Sequence, residues 1–218
     1  MNIKINIFRT NSEEWSVKAY ASIVFDDKFK VTGISIRENS RGNLFVSMPS
    51  YRSSEVGSDG KTTYRQFCHP TTKEFNKELS EAILRAYREG YDEMGLDSGT
   101  DQLSFYIKVN PLSESSGNVE ALVTVIFNRK FAVNGIRIVN GANGKFIAMP
   151  SQKKSNAGAG DEYVDVCYPV TKEFREMLYE NIFRAYLDDR ASRTNDVSEL
   201  YDVVKEKNKL DNGEMPFK

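Results

Sequence analysis

The sequence predicts an α+β fold built twice in one chain: two repeats, each an antiparallel sheet of about five strands followed by one amphipathic helix. Three observations predict it. Segments about a hundred residues apart spell nearly the same text, "GNLFVSMPS" at 42–50 and "GKFIAMPS" at 144–151. Within each copy, short runs rich in β-branched and aromatic residues alternate apolar with polar, the period of a half-buried strand. Each copy then switches to apolar residues three and four apart, the period of a helix with one buried stripe, and that stripe must lie on one face of a sheet.

In chain order, "IKINIFRT" (3–10) alternates and reads as an edge strand. "SVKAYASIVFD" (16–26) and "FKVTGISIR" (29–37) are strand runs separated by "DK", a tight hairpin signal. "LFVSM" (44–48) follows the turn "NSRGN", a polar loop comes next, and "TYRQFC" (63–68) closes the set. Copy two gives 103–110, 118–128, 131–139, 145–149 and 162–167 in the same order. The helix follows: Phe75, Leu79, Ala82, Ile83 and Ala86 form one apolar stripe, and Phe174, Leu178, Ile182 and Ala185 another. Thr72 and Thr171 stand where an N-cap is wanted. The helices carry the longest match, "TKEFNKELSEAILRAY" (72–87) over "TKEFREMLYENIFRAY" (171–186), with ten of sixteen positions identical. Cys68 aligns with Cys167 and Pro70 with Pro169, and the offset drifts from 102 to 99 only beside glycine-bearing loops, where two copies of one fold would tolerate indels.

The expected organisation is therefore repeat 1 over 1–96, repeat 2 over 97–193 and a polar tail over 194–218, partly helical or disordered, with 90–102 as the linker. A weak helical stripe at Leu200, Val203 and Val204 marks the tail. Apolar residues make up 39% of the chain and charged residues 28%, an ordinary globular composition. No apolar run approaches the roughly 20 residues that span a bilayer, so no membrane association is expected. The N-terminus alternates like a strand and lacks the continuous apolar core of a signal peptide. With only two cysteines, a reduced, cytoplasmic setting is expected. The formal charge of −1 means that any nucleic-acid binding would need a local basic patch on a neutral body.

With these residues in hand, the chain resembles the stage V sporulation protein G (SpoVG) family. The resemblance rests on "KFKV" and "KFAV", on "GISIRENSRGNLFVSMPS" and "GIRIVNGANGKFIAMPS", and on "CHP" and "CYP" ahead of each helix. It covers most of the chain, twice. The resemblance implies a site-selective DNA- and RNA-binding bacterial regulator, linked to sporulation and septation, with no enzymatic activity. Family members are mostly single-copy and resemble a homodimer joined through its sheets. Two copies in one chain then imply an intramolecular pseudo-dimer, held at the effective concentration that a linker sets. A monomeric chain is expected, with a chain dimer as the alternative.

Other motifs read as structure. His69, the only histidine, adjoins Cys68, but neighbours in a strand face opposite ways, and copy two has Cys167 and Tyr168 there. Cys68, His69 and Cys167 fall short of the four ligands of a structural zinc site. "GANG" (141–144) lies between strands and reads as turn chemistry. No catalytic residue, metal or cofactor is expected. In Met-Pro-Ser, Met fills the core, Pro ends a strand and Ser starts a loop. That loop is where binding is expected. Copy one supplies Arg52, Lys61 and Arg65 for phosphates and Tyr51 and Tyr64 for stacking on bases; copy two supplies Lys153 and Lys154 but adds Asp161, Glu162 and Asp165. The resemblance places basic residues just after Met-Pro-Ser and an Arg before His-Pro, positions that Arg52 and Arg65 fill; Val164 stands at the second position in copy two. The alternative is a non-catalytic structural or protein-interaction module that has lost nucleic-acid binding.

Overall fold

The computed structural model describes residues 1–10, 16–57, 60–99, 102–112, 117–153, 163–194 and 197–211, with backbone alone at 197–201 and 211. Repeat 1 runs β1 (Asn2–Arg9), β2 (Val17–Phe25), β3 (Phe29–Glu38), β4 (Leu44–Ser47), β5 (Ser50–Val56), β6 (Thr62–Gln66), β7 (Cys68–Pro70), α1 (Lys73–Arg88) and β8 (Glu93–Asp97). Repeat 2 runs β9 (Phe105–Pro111), β10 (Val119–Phe127), β11 (Phe131–Gly141), β12 (Gly144–Ala148), β13 (Ser151–Lys153), β14 (Tyr163–Asp165), β15 (Cys167–Pro169) and α2 (Lys172–Arg193), followed by α3 (Val197–Asp211). The class is α+β with antiparallel sheets, and each half is a sheet plus a helix.

Alternation sets the faces of each sheet. Ile3, Ile5 and Ile7 of β1, and Ala19, Ala21, Ile23 and Phe25 of β2, point inward and are buried. The β2–β3 turn places Asp26 and Asp27 at positive φ, with the Lys28 N–H donating to the Phe25 carbonyl. Asn128 and Arg129 repeat this turn between β10 and β11. The tight hairpin was expected at "DK"; its central residues lie one position earlier, because two left-handed residues match the twist of the flanking strands. Gly33 and Gly135, both at positive φ, sit in a bulge of β3 and β11, where two residues face one on the neighbouring strand.

The helices start where the threonines predict. Thr72 Oγ1 accepts from the Phe75 N–H, and Thr171 Oγ1 from the Phe174 N–H, each at 3.2 Å. They stop differently. Gly90 takes positive φ, and the Tyr91 and Gly90 N–H groups reach back to the Ala86 and Tyr87 carbonyls, a Schellman end. The chain then returns as β8 along β1. Residues 90–102, read as linker, thus contain a strand of the first sheet. Repeat 2 has Asp189 where repeat 1 has Gly90, and α2 continues to Arg193. Packed on α2, α3 buries Val203 and Leu210. Lys145 bonds Glu206 at 2.8 Å, and Lys207 meets Asp188 at 2.5 Å. Val204 of the expected stripe faces outward, and residues 212–218 lie outside the described residues.

The repeats join by exchanging strands. β7 of repeat 1 pairs with β11 of repeat 2, with Cys68 opposite Val133 and Pro70 opposite Phe131. β15 of repeat 2 pairs with β3 of repeat 1, with Cys167 opposite Val31 and Pro169 opposite Phe29. The flanking bonds match too: the Asn134 N–H donates to the Phe67 carbonyl at 2.7 Å, and the Thr32 N–H to the Val166 carbonyl at 2.8 Å. Equivalent residues of one half meet the same residues of the other, which is the pattern of an isologous contact. The two tandem repeats thus fit a pseudo-dimer, joined at the edge strands as expected. Behind the exchanged strands one aromatic cluster serves both halves. Phe25 lies 5.0 Å from Phe131, Phe29 lies 4.6 Å from Phe127, and Phe174 lies 6.5 Å from Phe29. Cys68 and Cys167 are free, buried thiols at the same junction; burial, followed by the neighbouring Cys68, pushes the Cys167 thiol up.

Candidate functional site

Met-Pro-Ser works as a root. Met48 and Met149 are buried in the core. The next carbonyl, that of Pro49 or Pro150, accepts the N–H of Phe67 at 2.9 Å or of Val166 at 2.7 Å. Between root and return, the stretch expected to be a polar loop is a two-stranded ribbon in each repeat: β5–β6 and the shorter β13–β14. Each ribbon leads into the exchanged strand, so each is carried across to the partner repeat.

The consequence is a composite groove of about 970 Å³. One wall is the repeat 1 ribbon, with Tyr51, Tyr64 and Arg65. The floor is the outer face of the repeat 2 sheet, where Asn110 of β9, Leu122 of β10 and Arg137 of β11 stand side by side in register. Tyr163 of the repeat 2 ribbon, His69 of β7 and Asn134 of β11 also line it. Tyr51 is braced against Phe67 at 4.8 Å between ring centroids, while Tyr64 and Tyr163 are 68% and 61% exposed. Arg65 bonds Glu55 at 2.6 Å. Asn134 is held from two sides: its Oδ1 accepts from the Thr124 hydroxyl at 3.2 Å, and its Nδ2 lies 3.3 Å from His69 Nδ1. Each amide group keeps further hydrogen-bonding capacity.

Of the residues expected to bind, the groove therefore unites Tyr51, Tyr64 and Arg65. Arg52 is cross-strand from Tyr64 and beside a separate hollow farther along the ribbon. Lys61 is exposed near the ribbon tip, where its carbonyl accepts the Gly57 N–H. Lys153 is cross-strand from Tyr163. Lys154, Asp161 and Glu162 lie outside the described residues. Asn110, Asn134, Arg137, Tyr163 and His69 were not foreseen as a group. Alternation alone puts Asn110, Leu122 and Arg137 on polar faces of their strands, but the register that aligns them is a property of strand pairing.

The equivalent place on repeat 1 is built differently. Phe8, Tyr20 and Ser35 stand in register where repeat 2 has Asn110, Leu122 and Arg137. The root of the repeat 2 ribbon meets only the bulge beside it, where Gln152 lies near Gly33, the Thr32 hydroxyl donates to the Val166 carbonyl at 3.2 Å and Ser22 is only 2% exposed, while Phe8 and Tyr20 stay exposed. At the ribbon root, burial raises the Asp165 carboxyl above its ordinary value, opposed in part by Arg175.

The helix surfaces of the two repeats pair differently. Glu180 bonds Arg184, four residues on, at 3.1 Å, whereas the aligned Glu81 pairs with Lys77 at 3.9 Å and Arg85 reaches Met94 Sδ at 3.7 Å. Among the described residues no group of three or more His, Cys, Asp or Glu side chains could hold a metal ion, and no helix is long and apolar enough to cross a membrane.

Comparison with known proteins bears on the whole architecture. The SpoVG family model matches twice, over residues 1–89 and 104–188. SpoVG of Clostridium botulinum (strain Alaska E43 / Type E3) is 34% identical over 93 residues, which cover 43% of this chain and 94% of that protein. SpoVG of Caldicellulosiruptor saccharolyticus is 36% identical over 72 residues, covering 33% of this chain and 77% of that protein. SpoVG of Clostridioides difficile (strain 630) is 35% identical over 80 residues, covering 37% and 82%. Each relative accounts for about one repeat, and the names of these relatives refer to septation. The chain belongs to the SpoVG family, carrying two tandem, diverged copies of its domain.

Proposed function

We propose that this protein is a non-catalytic, cytoplasmic regulator that binds DNA or RNA, and that the ribbons rooted at Met-Pro-Ser make the contact. The observation that carries this reading is the composition of the repeat 1 ribbon. Arg52, Lys61, Arg65, Tyr51 and Tyr64 are exposed on one short projection. Cations on such a projection gain affinity by releasing counterions from phosphates, and tyrosine rings offer faces for bases. Repeat 2 is the lesser contributor, since Val164 replaces the ribbon arginine and Asp165 is nearby.

Fluorescence anisotropy with mixed-sequence DNA and RNA at low salt tests this. Arg52→Ala/Arg65→Ala is expected to weaken binding about tenfold or more, and Lys153→Ala/Lys154→Ala by much less. Affinity is expected to fall with salt, by a log–log slope of about −0.7 to −0.9 per phosphate contacted. Equal losses from the two double variants would contradict the assignment to repeat 1, and no binding by wild type to any probe would contradict the function.

One observation favours the second reading, a protein-interaction module. Phe8 and Tyr20 are cross-strand neighbours on the outer face of the repeat 1 sheet and are 56% and 47% exposed. Exposed aromatic pairs are more usual in protein contacts than in phosphate contacts.

A further inference from the structure

We infer that the composite groove, with the repeat 1 ribbon overhanging the repeat 2 sheet, is a site for unpaired bases, so that the chain takes single-stranded nucleic acid in preference to duplex, at one site per chain. This rests on the nucleic-acid reading above and deepens it.

The chemistry of the lining selects the ligand. Duplex binding is led by phosphate, and its affinity comes from many cations arrayed along a backbone. Among the described residues lining this groove the only cations are Arg65 and Arg137, and Arg65 is already paired with Glu55. What the groove offers instead is neutral. Tyr64 and Tyr163, from opposite ribbons, are exposed rings at its mouth. Base–aromatic stacking contributes in single strands, where a base face is accessible. Asn110 and Asn134 line the groove, and carboxamides pair with the donor and acceptor pattern of a base edge. Those edges are free when the base is unpaired. Asn134 is oriented in advance by Thr124 and His69, so little ordering remains to be done on binding. Arg137, in register between Leu122 and Ala148, brings a guanidinium that can stack on a base or meet a phosphate.

Divergence of the repeats makes the site single. At the positions of Asn110, Leu122, Asn134 and Arg137, repeat 1 has Phe8, Tyr20, Thr32 and Ser35. The carboxamides and the guanidinium have no counterpart there, and Ser22, in the place of Thr124, is buried. A homodimer of identical domains would carry two equivalent grooves; the tandem chain has differentiated them.

The test is anisotropy on the full chain with labelled mixed-sequence 20-mers: single-stranded RNA, single-stranded DNA and the duplex of each. Single strands are expected to bind at least tenfold more tightly than their duplexes, one strand-binding site per chain. Arg137→Ser is expected to lessen the log–log salt slope by about 0.7, the share of one phosphate contact on a single strand. Tyr64→Ala, Tyr163→Ala and Arg137→Ser, each at an exposed position, are expected to weaken single-strand binding about fivefold or more. Phe8→Ala and Ser35→Ala, on the repeat 1 face, are expected to leave it unchanged. Thermal melting of each variant separates loss of binding from loss of fold. The RNA and DNA probes show whether the 2′-hydroxyl is read.

Duplex binding as tight as single-strand binding would overturn this inference while leaving the nucleic-acid reading intact. So would wild-type affinity in Arg137→Ser and Tyr163→Ala alongside a loss in Arg52→Ala/Arg65→Ala. No binding to any of the four probes would overturn both.

Discussion

Asp165 shows how the exchange of strands acts on a single side chain. It is the last residue of the repeat 2 ribbon, just before the chain crosses to repeat 1; its side chain is exposed on one side, and partial burial on the other is the main cause of its raised pKa. Its ordinary value is 3.8, and the folded value is higher. The fold therefore holds the Asp165 proton more tightly than the unfolded chain does. The stabilisation from this group is present below pH 3.8 and is lost as pH rises through the folded value. At pH 7 the ionised carboxylate is a slight burden, eased by solvent at its exposed side and by Arg175. Asp165→Asn is thus expected to raise Tm at pH 7, and that gain is expected to vanish as pH falls below 3.8. Melting curves of wild type and variant across this range check it; a lower Tm at pH 7 would show that Arg175 outweighs burial. Burial likewise raises Tyr186, whose hydroxyl bonds Glu120, beside the Lys145–Glu206 pair that holds α3.

At the scale of the element, one glycine separates the two helices. Gly90 ends α1 in the left-handed region, and nothing lies within 4 Å of where its Cβ would be. A Gly90→Ala change therefore acts through backbone torsion alone and is expected to cost about 1–2 kcal/mol. Chemical denaturation with unchanged m-value checks it. The Schellman end releases the chain to form β8, which covers the outer edge of β1. Repeat 2 lacks the glycine, keeps the helix going for six residues more than α1 and uses the extension as a platform for α3. The two repeats thus complete their ends by different devices, a strand in one and a helix in the other. The ribbons differ as well: β5–β6 pairs Ser50–Val56 with Thr62–Gln66 and bears Arg52 and Arg65, while the described part of the repeat 2 ribbon pairs Ser151–Lys153 with Tyr163–Asp165.

The whole molecule depends on the reciprocal pairing. Repeat 1 alone would leave β3 without β15 at Phe29–Val31, and β7 without β11. It would also open the aromatic cluster, since Phe127, Phe131 and Phe174 belong to repeat 2. An unpaired edge invites another strand. Residues 1–99 expressed alone are therefore expected to homodimerise or aggregate. The intact chain, with both edges met internally, is expected to run as a monomer near 24.8 kDa by light scattering. A protease site placed between Thr100 and Asp101, beyond β8, is expected to yield halves that stay associated after cleavage. A mass near twice that of the chain would overturn the monomer, and halves that separate would overturn the intramolecular pair.

Much of this was fixed by local chemistry and so could be read from the sequence. Alternation and helical stripes depend only on the residues of one segment, and the duplication repeats every element except β8 and α3. Thr72 and Thr171 as caps, the Met residues as core and the edge-strand junction of the repeats all follow from that. The ribbon between Met48 and Cys68 was less legible, because polar residues on a two-stranded projection have no buried face to reveal a period. The strand in the supposed linker was missed for a related reason: "EMGLD" pairs at an edge and packs only Met94 and Leu96 against the core. The groove was not legible at all. Its ribbon and its floor come from different repeats, and they meet only because β7 crosses to β11. Register and crossing are settled by which edges have partners once the core has closed. That is a tertiary outcome, and it turns Tyr64 and Arg137, 73 residues apart in the sequence, into neighbours across one groove.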